Sequence, residues 1–415
     1  MKILHIVAGD LTGGAARGAY WLHLGLVEEG IDSKIWTNSK VTFGDERVIS
    51  VLKTKKDKLS QFIRSQLDGN ATIFYPKRKK VIFSTGFFGI DFTKSKEYKE
   101  ADIIHLHWIN GGFVNIKHLS KIDKPIVWTI RDMWPLTGGC HYAIECENYK
   151  TGCGNCKQLK SNSSFDLSKI IYDRKLKYLP KHIKIVGISN WLSEEAKKGL
   201  LFRNFDVRTI HNNINTNEFF PVDKNIARKI LGIKTDKKII LAGAQSLKDF
   251  YKGFDKFIEA IQKLDKKKYF LVFFGNLDKS IADDLGFEYK NFGFLYDSVS
   301  LRLVYSASDV FIAPSIMDAF GKTLAESMAC ETPVVCFNAT GPKDIVEHKV
   351  TGYKAKAFEV EDLANGIEWV LNLEDMEYKK LCQNAREKVL KEFDSRVVAK
   401  KYIELYEEIL KDEIR

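Results

Sequence analysis

Two carboxylates flank a short glycine-containing turn in the stretch Pro314–Cys330, and their spacing suggests phosphate and sugar chemistry. Asp318 precedes the turn Phe320–Thr323, and Glu326 follows it. The stretch comes directly after the apolar run 310–313, a pattern that predicts a buried strand followed by a helix. A helix N-terminus presents unpaired N–H groups and the positive end of the dipole, which suits a phosphate. A helix start that suits a diphosphate, with a carboxylate on either side, predicts a site for a nucleotide-activated sugar.

The two carboxylates have more than one interpretation. Asp318 and Glu326 stand about two helical turns apart, so they act as a paired acid and base only if the residue before the helix folds back. Alternatively, each accepts hydrogen bonds from vicinal hydroxyls, so that Glu326 holds a ribose and Asp318 holds a sugar ring. As isolated acids, both would be solvated charges.

Two further glycine positions open predicted helices. Lys252 precedes Gly253 at a helix start, where a compact cation on a flexible stem could stabilise a departing diphosphate. The alternative is that Lys252 is an ordinary surface lysine at a helix start. The pair Gly13 and Gly14 lies between the first predicted strand and its helix, where it lets a ligand approach the backbone or lets helix and strand pack closely.

A cysteine cluster lies in a segment rich in glycine and asparagine. Four of the seven cysteines belong to it: Cys140, Cys146, Cys153 and Cys156. A C-x2-C pair with two further thiols is sufficient for a structural zinc ion, and His141 could replace one ligand. The alternative is four free thiols, since stable disulfides are unusual in a reducing cytoplasm.

Strand and helix patterns alternate along the chain and predict an α/β fold of two Rossmann-like, doubly wound domains. A polar, turn-rich stretch at about 205–222 indicates the linker. We therefore predict domains over residues 1–207 and 208–394, and a C-terminal helix over 395–415. The predicted strands are 3–7, 33–37, 103–107, 125–130, 184–189, 239–242, 269–274, 310–313 and 333–337.

Composition restricts the partners. The chain has 415 residues, 45% apolar and 29% charged, and no apolar run reaches the length of a membrane span. The N-terminus enters a strand without a cleavable signal, so a cytoplasmic protein is expected. The net charge is +11, and residues 51–80 are strongly basic. Nucleic acid is not expected as a partner, because the aromatic residues are not interleaved with the lysines and arginines.

The basic segment also contains apolar residues at helical spacing: Leu59, Phe62, Ile63 and Leu67. A basic helix with an apolar face can lie on an anionic membrane surface, which would make the protein peripheral on the inner face of the cell membrane. The alternative is that the apolar side enters the core and the charged side faces water.

Together these motifs resemble the retaining family-4 glycosyltransferases of GT-B architecture, in which two facing Rossmann-like domains hold the donor in their cleft. The most specific match is Asp318 to Glu326, which looks like the family's E-x7-E motif. Lys252-Gly253, the Gly13-Gly14 loop and Asn212–Asn215 match as well. The segment Trp128–Tyr142 is similar to a subgroup found in bacterial polysaccharide biosynthesis.

The resemblance implies roles for individual residues. Glu326 would bind the nucleotide ribose, and Asp318 would lie near the donor sugar in place of the family's glutamate. The diphosphate would be held by a set of groups from both domains: Lys252, the backbone of Phe320, Gly321 and Lys322, and the Gly13-Gly14 loop. No catalytic metal is implied. Arg131 stands where relatives have a histidine, and it could supply positive charge toward the donor.

The function expected from the resemblance is retaining transfer of a hexosyl group from a nucleoside-diphosphate sugar to a glycan or lipid-linked acceptor, in cell-surface polysaccharide synthesis. Two other functions are open. A sugar-nucleotide epimerase on the same fold would convert the donor without an acceptor. A non-catalytic glycan- or membrane-binding protein would bind without turning over a nucleotide sugar.

Overall fold

The computed structural model describes residues 1–246 and 249–414, and the chain divides into two compact units. Unit 1 comprises Met1–His211 and the chain from Val398 onward, and unit 2 comprises Asn212–Val397. Each unit has a single open sheet of parallel strands, which is the arrangement that alternating strands and helices produce.

Unit 1 is built on a seven-stranded parallel sheet in the order β3-β2-β1-β4-β5-β6-β7. The strands are β1 (Lys2–Val7), β2 (Asp32–Thr37), β3 (Val48–Ser50), β4 (Ile103–Leu106), β5 (Ile126–Ile130), β6 (Lys184–Gly187) and β7 (Val207–Thr209). The helices of this unit before its C-terminal segment are α1 (Gly14–Glu28), α2 (Lys55–Asn70), α3 (Lys96–Glu100), α4 (Leu167–Tyr178) and α5 (Asn190–Lys198). The central strands β4 and β5 are buried along their whole length, as expected for strands covered on both faces.

Unit 2 has a six-stranded parallel sheet in the order β10-β9-β8-β11-β12-β13. The strands are β8 (Lys238–Ser246), β9 (Tyr269–Asn276), β10 (Tyr289–Asn291), β11 (Val310–Ala313), β12 (Val334–Phe337) and β13 (Gly352–Ala355). The helices are α6 (Lys224–Ile230), α7 (Phe254–Ile261), α8 (Lys279–Asp284), α9 (Ser298–Ala307), α10 (Lys322–Ala329), α11 (Pro342–Ile345), α12 (Val360–Leu371) and α13 (Asp375–Glu392). Apolar side chains of α7 and α12 form one core cluster with those of β8, β9 and β11.

The last helix, α14 (Ser395–Ile414), begins in unit 2 and continues in unit 1. Its apolar stripe is buried against β1, β4 and α1: Val398, Ala399, Tyr402, Leu405, Tyr406 and Ile409. Burying a large apolar side chain is worth about 1.5–3 kcal/mol, so this stripe holds the helix firmly on unit 1.

The predicted fold class, two Rossmann-like α/β domains with parallel sheets, is confirmed. All nine predicted strands are present, and four strands were not predicted: β3, β7, β10 and β13. These four are the edge strands of the two sheets and have only three or four residues each. Edge strands bury less of their surface, so they lack the apolar run that reveals a central strand.

Helix α2 is attached to unit 1 through its polar side. Thr54 caps it in a reciprocal capping box with Asp57. Its buried residues are Gln61, whose amide donates to Gly111 O at 2.8 Å, and Asp68, which accepts from Gly86 N at 2.7 Å. The alternative in which the apolar side of this helix enters the core is therefore wrong, because Gln61 and Asp68 occupy the buried side.

The apolar residues of α2 lie at the surface: Leu59, Phe62, Ile63 and Leu67 are 60%, 61%, 48% and 46% exposed. The glycine pair that follows β4 explains how the helix sits there. A Cβ on Gly112 would lie 2.5 Å from the backbone of Arg64, so α2 rests directly on that glycine. Among the described residues, no helix is long and apolar enough to cross a bilayer.

Candidate functional site at the strand ends

In unit 2, two loops at the carboxyl ends of adjacent strands are joined by backbone hydrogen bonds. The carbonyl of Tyr251, after β8, accepts from Ile316 N at 2.8 Å and from Met317 N at 3.2 Å, both after β11. This pairing brings Lys252 Nζ to 2.7 Å from Asp318 Oδ2. The two side chains are 28% and 16% exposed, so the ion pair lies at the surface and within reach of a ligand.

Gly253 is required by this close approach. Its φ of +67° lies in the left-handed region, and a Cβ there would come within 2.0 Å of Pro314 O. The residue caps the N-terminus of α7 and turns the chain so that Lys252 faces the Asp318 loop. The predicted Lys252-Gly253 helix start is therefore found, with a backbone reason for the glycine.

The helix predicted at residue 321 begins as expected. Gly321 has φ +100° and caps α10, whose first turn contains Lys322 and Thr323. Phe320 N donates to Asp318 Oδ1 at 3.3 Å, and Asp318 N donates to Thr340 Oγ1 at 3.2 Å. The turn is thus fixed from both sides, and the N-terminal N–H groups of α10 lie beside the Lys252–Asp318 pair.

Glu326 lies one turn further into α10 and is only 2% exposed. Tyr305 donates its hydroxyl to Glu326 Oε2 at 3.2 Å, and Lys322 Nζ lies 3.8 Å from Oε1. A buried carboxylate is stable only with such partners. The interpretation of Glu326 as a solvated surface charge is therefore wrong, whereas its role as a ribose ligand stays a prediction.

In unit 1, the Gly13-Gly14 pair lies at the carboxyl edge of the sheet, at the start of α1. Neither glycine is needed for close helix–strand packing, since a Cβ on Gly14 would meet nothing within 4 Å and one on Gly13 would meet Asp10 O at 3.4 Å. Both backbones have ordinary conformations, because only Gly9 of this loop has a positive φ. Open space beside Gly14 is consistent with a ligand contact, which stays a prediction.

Arg131 follows β5 and is buried against histidines of neighbouring strands. Its Nε donates to His107 Nδ1 at 3.3 Å, and His107 Nε2 lies 2.8 Å from His5 Nδ1. Because a guanidinium only donates, His107 must carry its proton on Nε2 and pass a hydrogen bond to His5. Burial lowers the pKa of Arg131 to about 10, so the group stays charged at neutral pH.

A second network next to Arg131 was not predicted from the sequence. Asp132 Oδ2 lies 2.7 Å from His141 Nδ1 and accepts from Trp108 Nε1 at 2.9 Å. His141 Nε2 in turn lies 2.9 Å from Ser84 Oγ. The order serine, histidine, aspartate resembles a hydrolytic triad, but all three residues are more than nine-tenths buried, which keeps a substrate from the serine. We assign this network to positioning of the loop after β5.

The four clustered cysteines line one small cavity in the long loop between β5 and α4. Burial raises the pKa of Cys153 to about 12 and also raises the pKa of Cys140 and Cys156. All seven cysteines are free thiols. Both ring nitrogens of His141 are engaged with Asp132 and Ser84, so this histidine does not replace a cysteine as a ligand.

Residues 223–388, which contain the Lys252–Asp318 pair and Glu326, match the family model described as Glycosyl transferases group 1. The chain carries a group 1 glycosyltransferase domain. The predicted enzyme class, glycosyltransferase, is thereby confirmed.

Relatives extend the similarity beyond this domain. An uncharacterised glycosyltransferase of Methanocaldococcus jannaschii is 26% identical over 77% of this chain and 77% of its own length. A second relative, N,N'-diacetylbacillosaminyl-diphospho-undecaprenol alpha-1,3-N-acetylgalactosaminyltransferase of Campylobacter jejuni, is 27% identical over 48% of this chain and 53% of its own. The chain thus spans about three quarters of the first relative and about half of the second.

Solved structures confirm the GT-B fold class. The crystal structure of Anabaena HepE in complex with UDP-glucose covers 98% of this chain and 100% of that one, with a TM-score of 0.63 and 16% identity. At that identity the likeness shows the fold alone.

Proposed function

We propose that the group 1 glycosyltransferase domain binds a nucleoside-diphosphate sugar and transfers its sugar with retention to a glycan or lipid-linked acceptor in cell-surface polysaccharide synthesis. The observation that carries the proposal is the joint placement of Lys252, Asp318 and the N-terminus of α10 at one strand edge, with Glu326 one turn further. A cation and unpaired N–H groups suit a diphosphate, and flanking carboxylates suit sugar hydroxyls.

In the proposed reaction, the bond between the sugar's C1 and the diphosphate oxygen breaks, and a bond between C1 and the acceptor oxygen forms on the same face. The proton of the acceptor hydroxyl passes to the departing phosphate oxygen, so no separate base is needed. Lys252 and the N–H groups at the start of α10 stabilise the negative charge that grows on the leaving group.

The ion pair between Lys252 and Asp318 gives the site a defined resting state. A diphosphate brings more negative charge than one carboxylate, so it would draw the lysine toward itself. Asp318 would then be released to accept hydrogen bonds from the sugar hydroxyls. Donor binding would thus convert an internal ion pair into two ligand contacts.

The donor can be identified by a thermal-shift screen of nucleoside diphosphates and their sugars. UDP-glucose is the first to test, because the HepE structure of the same fold holds it. A ligand at about 100 times its dissociation constant adds about 2.7 kcal/mol of stability, which is readily measured. Failure of every nucleotide to stabilise the chain would contradict the proposal.

Product analysis then separates the proposed transfer from the two alternatives. A transferase consumes the donor with a matched acceptor and releases the nucleoside diphosphate, and the new linkage has the anomeric configuration of the donor. An epimerase converts the donor alone into another nucleotide sugar. A non-catalytic protein leaves the donor unchanged with and without an acceptor.

We also propose that unit 1 contacts an anionic membrane on the cytoplasmic side, where a lipid-linked acceptor would lie. Helix α2 exposes its apolar residues and buries the polar residues Gln61 and Asp68, and Ile73 and Phe74 just after it are 66% and 84% exposed. The surrounding bases are exposed and, among the described residues, form no ion pair: Lys53, Lys55, Lys56, Lys58, Lys77, Arg78, Lys79 and Lys80. Exposed apolar side chains surrounded by lysines and an arginine without ion-pair partners suit a membrane surface. There the apolar side chains can reach the acyl chains while the cations contact anionic headgroups.

The membrane proposal is tested by sedimentation with lipid vesicles. The chain should bind phosphatidylglycerol vesicles and bind phosphatidylcholine vesicles at least about tenfold more weakly, since each base near an anionic surface is worth about 1 kcal/mol. Replacing Leu59 and Phe62 by serine should abolish binding. Met376→Ser is the control, because it removes an even more exposed apolar side chain from unit 2. Equal binding by both variants would contradict the proposal.

A further inference from the structure

The segment between β5 and α4 is a long loop whose order needs an explanation. Every residue from 131 to 166 is described, and the segment contains no strand and no helix longer than one turn. Long loops of this kind inside compact domains are uncommon and are usually functional. Apolar packing supplies part of the order, since Trp134 and Tyr149 are buried. The other feature that could order this loop is its set of four cysteines.

The four cysteines converge on one cavity of about 10 Å³. They come from three parts of the loop, and two of them are buried: Cys140 and Cys156. Cys153, Gly154 and Asn155 all have positive φ, which turns the C-x2-C segment tightly enough to place both its cysteines on the cavity. Left-handed backbone at non-glycine residues is costly, so the two non-glycine residues of this turn, Cys153 and Asn155, require a compensating interaction.

Backbone N–H groups point at two of the sulfurs. The backbone N–H groups of Gln158 and Leu159 lie near Cys156 Sγ, and that of Gly138 lies near Cys153 Sγ. A thiol is a weak acceptor, whereas a thiolate accepts such bonds well. Backbone donors around sulfurs are therefore what a thiolate ligand of a metal needs from its surroundings.

A buried lysine lies beneath the same loop. Lys175 is 1% exposed, and its ammonium donates to the carbonyl oxygens of Trp134 and Thr137. In the part of the chain that the structure describes, no carboxylate lies within ion-pair distance of it. Burial lowers the pKa of Lys175 to about 7 even though Asp132 and Asp68 act to raise it, so its ammonium is poorly balanced by nearby charge. Four thiolates around a divalent cation carry a net charge of −2, which would provide the missing counter-charge.

The sulfurs stand further apart than they would around a bound metal. No three of them lie within 4.8 Å of one another among the described residues. Rotation about χ1 moves a cysteine sulfur by about 3 Å between staggered positions. Because all four side chains already line one cavity, such rotations can close the sulfurs to the distances of a tetrahedral site, in which each zinc–sulfur bond is about 2.3 Å.

We propose that Cys140, Cys146, Cys153 and Cys156 bind one Zn²⁺ ion as four thiolates, and that this ion holds the loop between β5 and α4. Zinc fits this set because it prefers tetrahedral sulfur ligands. Binding releases four protons and involves no electron transfer. Cys140 directly precedes His141, so the ion also fixes the Asp132–His141 network. The site is structural and independent of the donor-binding proposal.

The buried histidine cluster does not compete for the metal. His5, His105 and His107 bring ring nitrogens within 4.8 Å of one another. However, the Arg131 cation donates directly to this cluster, and both nitrogens of His105 are engaged with Tyr406 and Thr129. A divalent cation would displace these hydrogen bonds and meet a positive charge, so the histidines serve as a hydrogen-bond network.

The test is the metal content of the full chain purified without chelators, measured by plasma mass spectrometry. We expect about one zinc per chain, and below about 0.2 in Cys153→Ser/Cys156→Ser. The double variant Cys330→Ser/Cys382→Ser is the matched control, because it removes two buried cysteines of unit 2 and should keep the zinc. Cobalt reconstitution should give the intense thiolate charge-transfer absorption of a tetrahedral cobalt site.

Thiol titration in denaturant makes the outcome decisive even if the cysteine variant folds poorly. Zinc release should accompany the titration of all seven cysteines of the wild-type chain. A zinc-free chain that also fails to take up zinc anaerobically would overturn the proposal. Titration of only five or three thiols would overturn it too, since that result means disulfides in place of a metal site.

Discussion

The carboxyl edges of the two sheets both gather polar residues, but they do so in opposite ways. In unit 2, Lys252 and Asp318 form a partly exposed ion pair beside the start of α10. In unit 1, the histidines and Arg131 at the strand ends are almost fully buried and hydrogen-bonded among themselves. One edge therefore offers charges to a ligand, and the other uses its polar groups internally.

The difference shows which residues can exchange partners. A surface ion pair is weak in water and can be replaced by a ligand at little cost. A buried network has no such alternative, because breaking it leaves an unsatisfied group in a low dielectric. Substitutions at the unit 2 edge should thus change activity, whereas substitutions at the unit 1 edge should change stability.

The largest effect is expected at the unit 2 edge. Lys252→Ala and Glu326→Gln should each reduce transfer by at least about 100-fold, or about 2.7 kcal/mol, because each removes a contact to the donor. The melting temperature should change little. The measurement is the initial rate of product formation with the donor found by the screen. Lys256→Ala, one turn along α7, is the control and should keep full activity. Full activity in both site variants would remove the basis for the assignment.

The next effect is the acid sensitivity of unit 1. Burial lowers the pKa of His5, His105 and His107 well below their usual value, so they are neutral when folded and take up protons on unfolding. The free energy of unfolding is therefore highest above pH ~6.5. Below that pH it falls by about 1.4 kcal/mol per pH unit for each such histidine.

His5→Asn removes one of the histidines that take up a proton on unfolding. The amide oxygen of the asparagine can accept the hydrogen bond from His107 that His5 Nδ1 accepts in the wild type. Between pH 7 and pH 5, the variant should lose about 2 kcal/mol less unfolding free energy than the wild type. Urea denaturation at both pH values measures the difference. Identical losses in the two proteins would show that His5 is not held neutral in the fold.

The smallest effect concerns the resting ion pair. Asp318→Asn leaves Lys252 without its partner, so a nucleoside diphosphate should bind about three- to tenfold more tightly, a gain of about 1 kcal/mol. Transfer should nevertheless fall by about tenfold, because the amide is a poorer acceptor for sugar hydroxyls. Calorimetry and initial rates give the two values. Asp318→Glu should restore transfer, whereas weaker nucleotide binding by the asparagine variant would contradict the resting-pair interpretation.

Much of the unit 2 site could be predicted from the sequence, because its parts are local. The apolar run of β11, the glycine turn and the two carboxylates lie within seventeen positions, and Gly321 caps the helix where it was expected. Lys252 was predicted from a second short motif. Its distance to Asp318 depends on the pairing of Tyr251 with the loop after β11, which no local pattern reveals.

The unit 1 network could not be predicted, because its members are far apart in the chain. Ser84, Trp108, Asp132 and His141 meet only when the loops after two strands fold against each other. Each residue alone has many ordinary roles. The glycine pair at Gly111 and Gly112 could have pointed to a close approach, although only the fold shows that helix α2 makes it.

The sequence by itself determined the two parallel sheets, the helix starts at Gly253 and Gly321, and the helical period of α2, because these depend on residues near one another. The tertiary structure alone decided which side of α2 faces water, since a period of 3.6 residues defines an apolar stripe without saying what covers it. It also decided that Lys252 meets Asp318 and that Lys175 lies beneath the cysteines. Such partnerships rest on contacts between distant segments, which only the folded chain creates.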